Sequence, residues 1–338
     1  MTSTVDLAVV GATGLVGEAF LELLADRNLP VGELFVLASD NSLGKTLQVG
    51  KRGLKVGKAE DFDFSRVQLA VFAAGARVSQ ELAPRAADAG ALVLDLSPAF
   101  RYEPDVPLVV AGVNEEQLGA ARERNIVAAP DAATVQLLLA LKPLLELGDL
   151  TRVSVTQLQG ASAAGRNGVE RLARQSARLL NGLDAEEGGE PQHAFNLLPV
   201  AGSPQDNGYT SEELKLMLET RRVLAQPQLA VDVSCVQVPV FHGIAQTVVV
   251  QGTLPLALAQ AEACWERAPG LQMDEGGEAD SASPVTQIRG DLGVRLARVR
   301  EDIDGQGALS FWTVADNIKT GAAYNAVLLV ETLLKDYL

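Results

Sequence analysis

Apolar and polar positions alternate on two different periods in the two halves of the chain. Over the first 130 residues, short apolar runs are separated by segments of helical period. Residues 5–10 read as a buried strand, followed by Gly11-Ala-Thr-Gly14-Leu-Val-Gly17 and a helix with Leu15, Ala19, Phe20, Leu23 and Leu24 on one face. Further strands are predicted over 33–39, 67–73, 91–95 and 125–129. A helix is predicted over 78–89, and a long one from 133 towards 147. Strands that alternate with helices in this way predict a parallel sheet wrapped by helices.

After about residue 150 the period shortens to two. Strands are predicted over 152–159, 231–240, 247–252, 294–300 and 308–315, in a mixed or antiparallel sheet, with helices over 165–180, 211–224 and 256–265. Segments 184–192 and 274–283 are acidic and Gly-rich and read as surface loops. A final helix over 320–337 carries Ala322, Ala326, Leu329 and Leu333 on one side and is expected to pack back onto the first half. The pattern is that of a two-domain α/β protein.

Composition narrows the field. The chain has 338 residues, 47% of them hydrophobic, 21% charged and 4% aromatic, as in ordinary globular proteins. Its 28 basic and 43 acidic residues leave a net charge of −15, which repels phosphate backbones and anionic lipid, so neither nucleic acid nor membrane is expected as a partner. Two cysteines, Cys235 and Cys264, and two histidines, His193 and His242, supply neither a disulfide scaffold nor a metal site of zinc-ligand spacing. The opening residues have no basic region or apolar stretch of a secretory signal. The longest apolar segment, 135–147, is broken by Lys142 and Pro143 and is too short to span a bilayer. A cytoplasmic protein is expected.

Gly11, Gly14 and Gly17 fall between the first strand and the first helix. Glycines there allow a tight turn and close approach of the backbone to a pyrophosphate held by the helix N-terminus, although they also serve plain helix–sheet packing. The second strand ends at Ser39-Asp40-Asn41-Ser42. An acidic residue at this point suits a free ribose hydroxyl and a cation suits a 2′-phosphate, so Asp40 favours NAD over NADP. Read as a simple polar turn, Asp40-Asn41 carries no such preference.

These segments, with 37–45, Asp95-Leu-Ser-Pro-Ala-Phe-Arg101, Gly208-Tyr-Thr-Ser-Glu-Glu-Leu-Lys215, 236–243 and Asp316-Asn-Ile-Lys-Thr-Gly-Ala-Ala323, resemble aspartate-semialdehyde dehydrogenase in order and over nearly the whole chain. The likeness is greatest to its Usg branch, the homologues without the active-site cysteine. The resemblance implies a Rossmann-type, doubly wound parallel sheet (1–131 plus 320–338) and a central α/β dimerisation domain with a mixed sheet (132–319), assembled as a homodimer. It implies NADPH-dependent reduction of β-aspartyl phosphate to aspartate semialdehyde through a cysteine thioester, with no metal. It places NAD or NADP at Gly11, Thr13, Gly14, Leu15, Val16, Ser39, Asp40, Asn41, Ser42, Gly75, Gly165 and Asn317. A small anionic ligand falls at Arg101, Asp131, Gln159, Glu212, Lys215, Gln237 and His242.

Four positions depart from the family pattern. The cysteine segment reads Pro130-Asp131-Ala132-Ala133-Thr134, with Ala132 where the nucleophile would stand. In Gln237-Val-Pro-Val-Phe-His242-Gly-Ile244, Gln237 replaces the substrate-binding arginine and Ile244 the catalytic histidine. Asn41 replaces the arginine near the 2′-phosphate. Losing an arginine and gaining Asp131 makes the pocket less welcoming to a doubly anionic acyl phosphate. Cys235, in an apolar stretch, and Cys264, beside Trp265 in a helix, read as packing residues. In an extended strand His242 and Ile244 would face the same way, about 6–7 Å apart, unless Gly243 bends the chain. Three readings stay open: a catalytically degenerate member that acts by binding, an active NAD(P)-dependent oxidoreductase with a non-cysteine mechanism, and a partner subunit paired with an active family enzyme.

Overall fold

The computed structural model describes residues 4–27, 29–185, 190–274, 276, 281–287, 292–305 and 307–338. The expected loops 184–192 and 274–283 thus fall in part outside the described residues. Two compact units divide the chain, Met1–Asp131 with Ala322–Leu338, and Ala132–Gly321.

The first unit is built on β1 (Val5–Val10), α1 (Leu15–Asp26), β2 (Val31–Ala38), a hairpin of β3 (Thr46–Val49) and β4 (Arg52–Lys55), β5 (Gly57–Lys58), β6 (Leu69–Phe72), α2 (Ala76–Asp88), β7 (Leu92–Asp95) and β8 (Ile126–Ala128). Its six-stranded sheet runs β5-β2-β1-β6-β7-β8, all parallel. Burial on both faces explains why these strands read as unbroken apolar runs. The order reverses beside β1, the switch point where open α/β sheets bind ligands at the carboxyl ends of their strands. The C-terminal helix Asn325–Asp336 belongs to this unit and buries Ala326, Leu329 and Leu333. Arg27, at the end of α1, reaches it with Nη1 2.7 Å from Glu331 and Nη2 2.8 Å from the Tyr324 hydroxyl.

In the second unit, α3 (Ala132–Leu141) precedes β9 (Leu150–Gln159), α4 (Gly165–Leu180), α5 (Ser211–Val223), β10 (Ala230–Gln237), β11 (Ile244–Gly252), α6 (Leu258–Arg267), β12 (Leu271–Met273), β13 (Val294–Glu301) and β14 (Leu309–Ala315). Its sheet runs β10-β9-β11-β14-β13-β12. The pairs β10/β9 and β12/β13 are parallel and the other three antiparallel, so the sheet is mixed. Trp265 anchors the core, donating its indole N–H to the Ala140 carbonyl at 2.8 Å and meeting Phe311 edge to face.

Several predicted boundaries move, each for a local reason. The helix expected to run to 147 leaves the α form at Leu141 and continues to Glu146 as a 3₁₀ turn, because Pro143 has no N–H and its ring crowds the preceding turn. The strand expected to reach 240 stops at Gln237, two residues before Pro239. The next strand begins at Ile244 rather than 247. The helix expected from 320 opens as a π-helical turn, Lys319–Tyr324. There the Asp316 carbonyl accepts from the N–H groups of both Thr320 and Gly321, and the second bond has π spacing. The strands β3, β4, β5 and β12 went unpredicted because they are short and lack an alternating apolar face.

Candidate functional sites

At the end of β1 the chain is pinned to β2, the N–H groups of Gly11 and Ala12 both donating to the Leu37 carbonyl. Gly11 has φ +85, and a methyl group on it would lie 2.5 Å from the Ala73 carbonyl oxygen, so no other residue fits without moving backbone. Gly14 caps α1 in extended conformation with no side-chain hydrogen bond. The first amides of that helix, on Leu15 and Val16, have no hydrogen-bond partner among the described residues, which leaves an anion-binding helix terminus. Gly75 opens α2 with clear space around it. Thr13 donates to Ser42 at 3.3 Å, while Ser39, Asp40 and Asn41 are exposed.

Asp40 does not stand alone. The pairing of β2 with β5 sets Ala38 against Lys58, and Lys58 Nζ lies 3.2 Å from Asp40, 3.3 Å from Glu60 and 3.9 Å from Asp61. Lys45 Nζ reaches Ser42 Oγ at 3.5 Å. Sequence reading missed both cations, because only the register of a two-residue strand brings Lys58 to the end of β2.

Arg101 is buried in the same unit. Its Nε donates to the Ala129 carbonyl at 3.0 Å and its Nη2 to that of Leu96 at 2.9 Å. Nη1 lies 3.8 Å from Asp131 Oδ2. Asp131 thus faces a guanidinium. Asp95, at the end of β7, accepts from the amide and hydroxyl of Ser97. Burial nonetheless pushes its carboxyl above the usual carboxylate range, against the pull of Ser79, Ser97 and Arg101.

In the second unit, strand register lines up residues far apart in sequence. Gln159 on β9 pairs with Gln237 on β10 and with Ile244 on β11, and Ile244 pairs with Ala315 on β14. The four form one row across the ends of the strands, with side chains leaving the sheet on a shared face. Gln237 donates its amide to the Val200 carbonyl at 2.6 Å. Ala132 is the first residue of α3, and a methyl group on Gly321 would fall 2.6 Å from its Cβ.

His242 lies outside this row. Gly243, at φ +93, turns the backbone just before β11 begins, so the same-face spacing expected of an extended strand does not hold. Asn317 Oδ1 secures this turn, accepting from the Gly243 N–H at 3.0 Å and from the Ser162 hydroxyl at 2.8 Å. On α5, begun by a capping box between Thr210 and Glu213, Lys215 pairs with Glu212 at 2.7 Å. Gly165 begins α4 at φ +69. Thus Gly165, Asn317, Gln159, Glu212, Lys215, Gln237 and His242 belong to the second unit, and Arg101, Asp131 and the remaining predicted dinucleotide residues to the first.

Both cysteines are buried, and neither is in a disulfide. Burial and Glu146 push the Cys264 thiol up, away from the reactive thiolate. Among the described residues no group of three His, Cys, Asp or Glu side chains could hold a metal ion, and no helix is long and apolar enough to cross a membrane.

The comparisons with known proteins agree with this architecture. Residues 6–121 match the model of the semialdehyde dehydrogenase NAD binding domain, and residues 141–320 that of the semialdehyde dehydrogenase dimerisation domain. A Vibrio cholerae protein named aspartate-semialdehyde dehydrogenase 2 is 42% identical over 338 residues, covering 100% of both chains. The chain belongs to the aspartate-semialdehyde dehydrogenase family. Within the family it is also 39% identical to a USG-1 protein homolog of Azotobacter vinelandii, over 99% of each chain. Its fold superposes on the crystal structure of aspartate semialdehyde dehydrogenase II complexed with ASA, from Vibrio cholerae, with a TM-score of 0.93 and 41% identity, covering 99% of each chain.

Proposed function

We propose that this family member is Usg-like: it binds a nicotinamide dinucleotide and a small anionic ligand but does not perform the thioester chemistry of the family. One observation carries the reading, Ala132 as the first residue of α3. A side chain there sits at the positive end of a helix, the setting that lowers a thiol's pKa, and a methyl group offers no nucleophile. The row Gln237–Gln159–Ile244 supports it, with an amide already committed to a backbone carbonyl and an aliphatic side chain where the family resemblance expects arginine and histidine.

The residues of the first unit fit a dinucleotide. The Gly11 turn keeps the backbone clear of side chains, and the open amides of Leu15 and Val16 are donors for its pyrophosphate. In this reading Thr13, Gly14, Ser39, Asp40, Asn41, Ser42 and Gly75 flank it. When bound, NAD or NADP supplies a hydride donor or acceptor. For the anionic ligand, the first unit offers the cation Arg101, paired with Asp131, and the second unit offers the cation Lys215, paired with Glu212, together with Gln159, Gln237 and His242. The match to a dimerisation domain supports a homodimer, as do the exposed apolar side chains Leu180, Leu183, Phe195 and Leu197 in the same unit. The same surface would serve a heteromer with an active family enzyme. A cytoplasmic location completes the reading.

The test is cofactor-linked turnover of aspartate semialdehyde with phosphate and either NADP or NAD, by protein from a host lacking its own family enzyme. No turnover, together with a nucleotide-dependent rise in melting temperature, is the expected result. A second reading is favoured by the 42% identity to a relative named as the dehydrogenase: an active oxidoreductase with Asp131 or His242 as proton donor. Turnover abolished by replacing either residue would establish it and overturn the first.

A further inference from the structure

Behind Gln159 the second unit holds a continuous chain of buried polar side chains. Gln136 Nε2 donates to Thr313 Oγ1 at 2.9 Å, and Thr313 Oγ1 donates to Gln246 Oε1 at 3.2 Å. Gln246 Nε2 donates to the Ala133 carbonyl at 3.0 Å and to Gln157 Oε1 at 3.4 Å. Gln157 Nε2 in turn donates to Gln159 Oε1 at 2.9 Å. Every member is at most 7% exposed.

The register explains the alignment. Gln157, Gln246 and Thr313 are direct cross-strand partners on β9, β11 and β14, one row in from Gln159 and on its face of the sheet. A row of leucines would bury comparable surface with no polar atoms to satisfy. What the amides add is direction.

That direction is fixed at a single point. A backbone carbonyl can only accept, so the Ala133 oxygen forces Gln246 to present Nε2 to it and Oε1 to Thr313. With Gln246 Nε2 facing Gln157, the latter must present Oε1 inward and Nε2 outward to Gln159. The last amide is then left with its oxygen occupied, and its Nε2 has no acceptor among the described residues.

We infer that Gln159 is a preset hydrogen-bond donor for a ligand carbonyl oxygen, and that Gln246 and Gln157 are positioning residues that hold it in that sense. An unsupported glutamine amide can offer a ligand either face by rotating its last torsion. Here that rotation would set Gln159 Nε2 against Gln157 Nε2, donor against donor, in a buried position where an unmet amide is costly. The inference rests on the reading of Gln159 as a ligand contact. It goes further in naming the ligand chemistry that the contact accepts.

The experiment has one arm that needs no ligand and one that does. In the full-length protein with ¹⁵N-labelled glutamine side chains, solvent exchange of the side-chain amide protons is expected to be slow for Gln136, Gln157 and Gln246 and fast for Gln159. In Gln157→Glu at pH 8 the carboxylate cannot donate, so Gln159 is expected to turn Nε2 inward and its amide to become protected. Gln157→Leu breaks the chain without reversing it, is expected to leave Gln159 unprotected, and serves if the charged variant fails to fold. A wild-type Gln159 amide as protected as the other three overturns the inference.

For the second arm, 4-oxobutanoate and 4-aminobutanoate share a carboxylate and differ in ending on an acceptor or a donor. Wild-type protein is expected to bind the first about tenfold more tightly, with the preference lost in Gln157→Leu and reversed in Gln157→Glu. An equal preference in all three proteins overturns the inference. Binding of neither probe, with the exchange pattern as expected, removes Gln159 from the ligand site and leaves its fixed polarity established.

Discussion

Gln159 and Ile244 are direct partners across β9 and β11, their side chains on one face of the sheet. A histidine at position 244 would therefore stand next to the Gln159 amide, about 5 Å away by the spacing of opposed residues.

If the chain lacks the thioester chemistry, as proposed, this relationship makes its restoration testable. The triple variant Ala132→Cys, Ile244→His, Gln237→Arg is expected to gain cofactor-linked turnover of aspartate semialdehyde, and each single variant to gain almost none. Groups that act as one unit are strongly non-additive, and loss of a nucleophile costs on the order of a millionfold in rate. Gly321 packs directly against position 132, where a methyl group on it would lie 2.6 Å from the Ala132 Cβ, so position 321 is kept as glycine in every variant. Turnover as low in the triple variant as in the singles would mean that more than these three side chains separates this chain from its catalytic relatives.

The glycine turn can be probed through nucleotide-dependent stability. Gly11→Ala puts a Cβ at φ +85 and 2.5 Å from the Ala73 carbonyl oxygen. A loss of about 2 kcal/mol in stability is expected, together with loss of the rise in melting temperature expected of the unaltered protein with NAD or NADP. Thermal shift measured with and without each nucleotide separates the two effects.

Discrimination between NAD and NADP is expected to turn on the Asp40–Lys58 pair. Asp40→Ala removes one of three carboxylates around Lys58. The affinity for NADP relative to NAD is expected to rise by about fivefold, in line with one exposed charge interaction. Titration of both nucleotides against both proteins at low salt measures the ratio. An unchanged ratio would place the ribose away from the end of β2.

His193 supplies a pH dependence with a definite sign. Its Nε2 lies 2.8 Å from the Val238 carbonyl, which can only accept, so the proton sits on Nε2 and the buried Nδ1 has no partner among the described residues. Burial lowers its pKa, aided by Arg171 and opposed by the Val238 hydrogen bond. With a depressed folded pKa, the unfolded chain takes up the proton first. The group's contribution is intact above the ordinary histidine range and is lost as pH falls below about 6.5, by at most about 1.4 kcal/mol per pH unit. Chemical denaturation of wild type and His193→Gln between pH 7.5 and 5.5 is expected to show a steeper decline in wild type.

Hydrophobic periodicity carried most of the fold, because long buried strands such as 5–10 and 150–159 have no competing reading. It failed where a single residue decides a boundary, at Pro143, Pro239 and the double acceptor Asp316. It also failed where strands are too short to alternate, as at Lys58. Among the candidate site residues, Ala132, Gln237 and Ile244 stood out one by one through departure from a family pattern. Their alignment with Gln159 did not, since cross-strand register is a tertiary fact. Gln157 and Gln159, two apart in one strand, were the available hint of a polar face, but Gln136, Gln246 and Thr313 join them only through the sheet and α3.

The row at the strand ends is held in place by main-chain hydrogen bonds, to which every residue contributes alike whatever its side chain. Isoleucine in place of histidine, or glutamine in place of arginine, breaks no rung of that ladder. Selection on folding therefore does not register what the row can catalyse. A lineage can drift between enzyme and binding protein in either direction while the ladder of main-chain bonds stays whole, and only the ligand it meets tells the two apart.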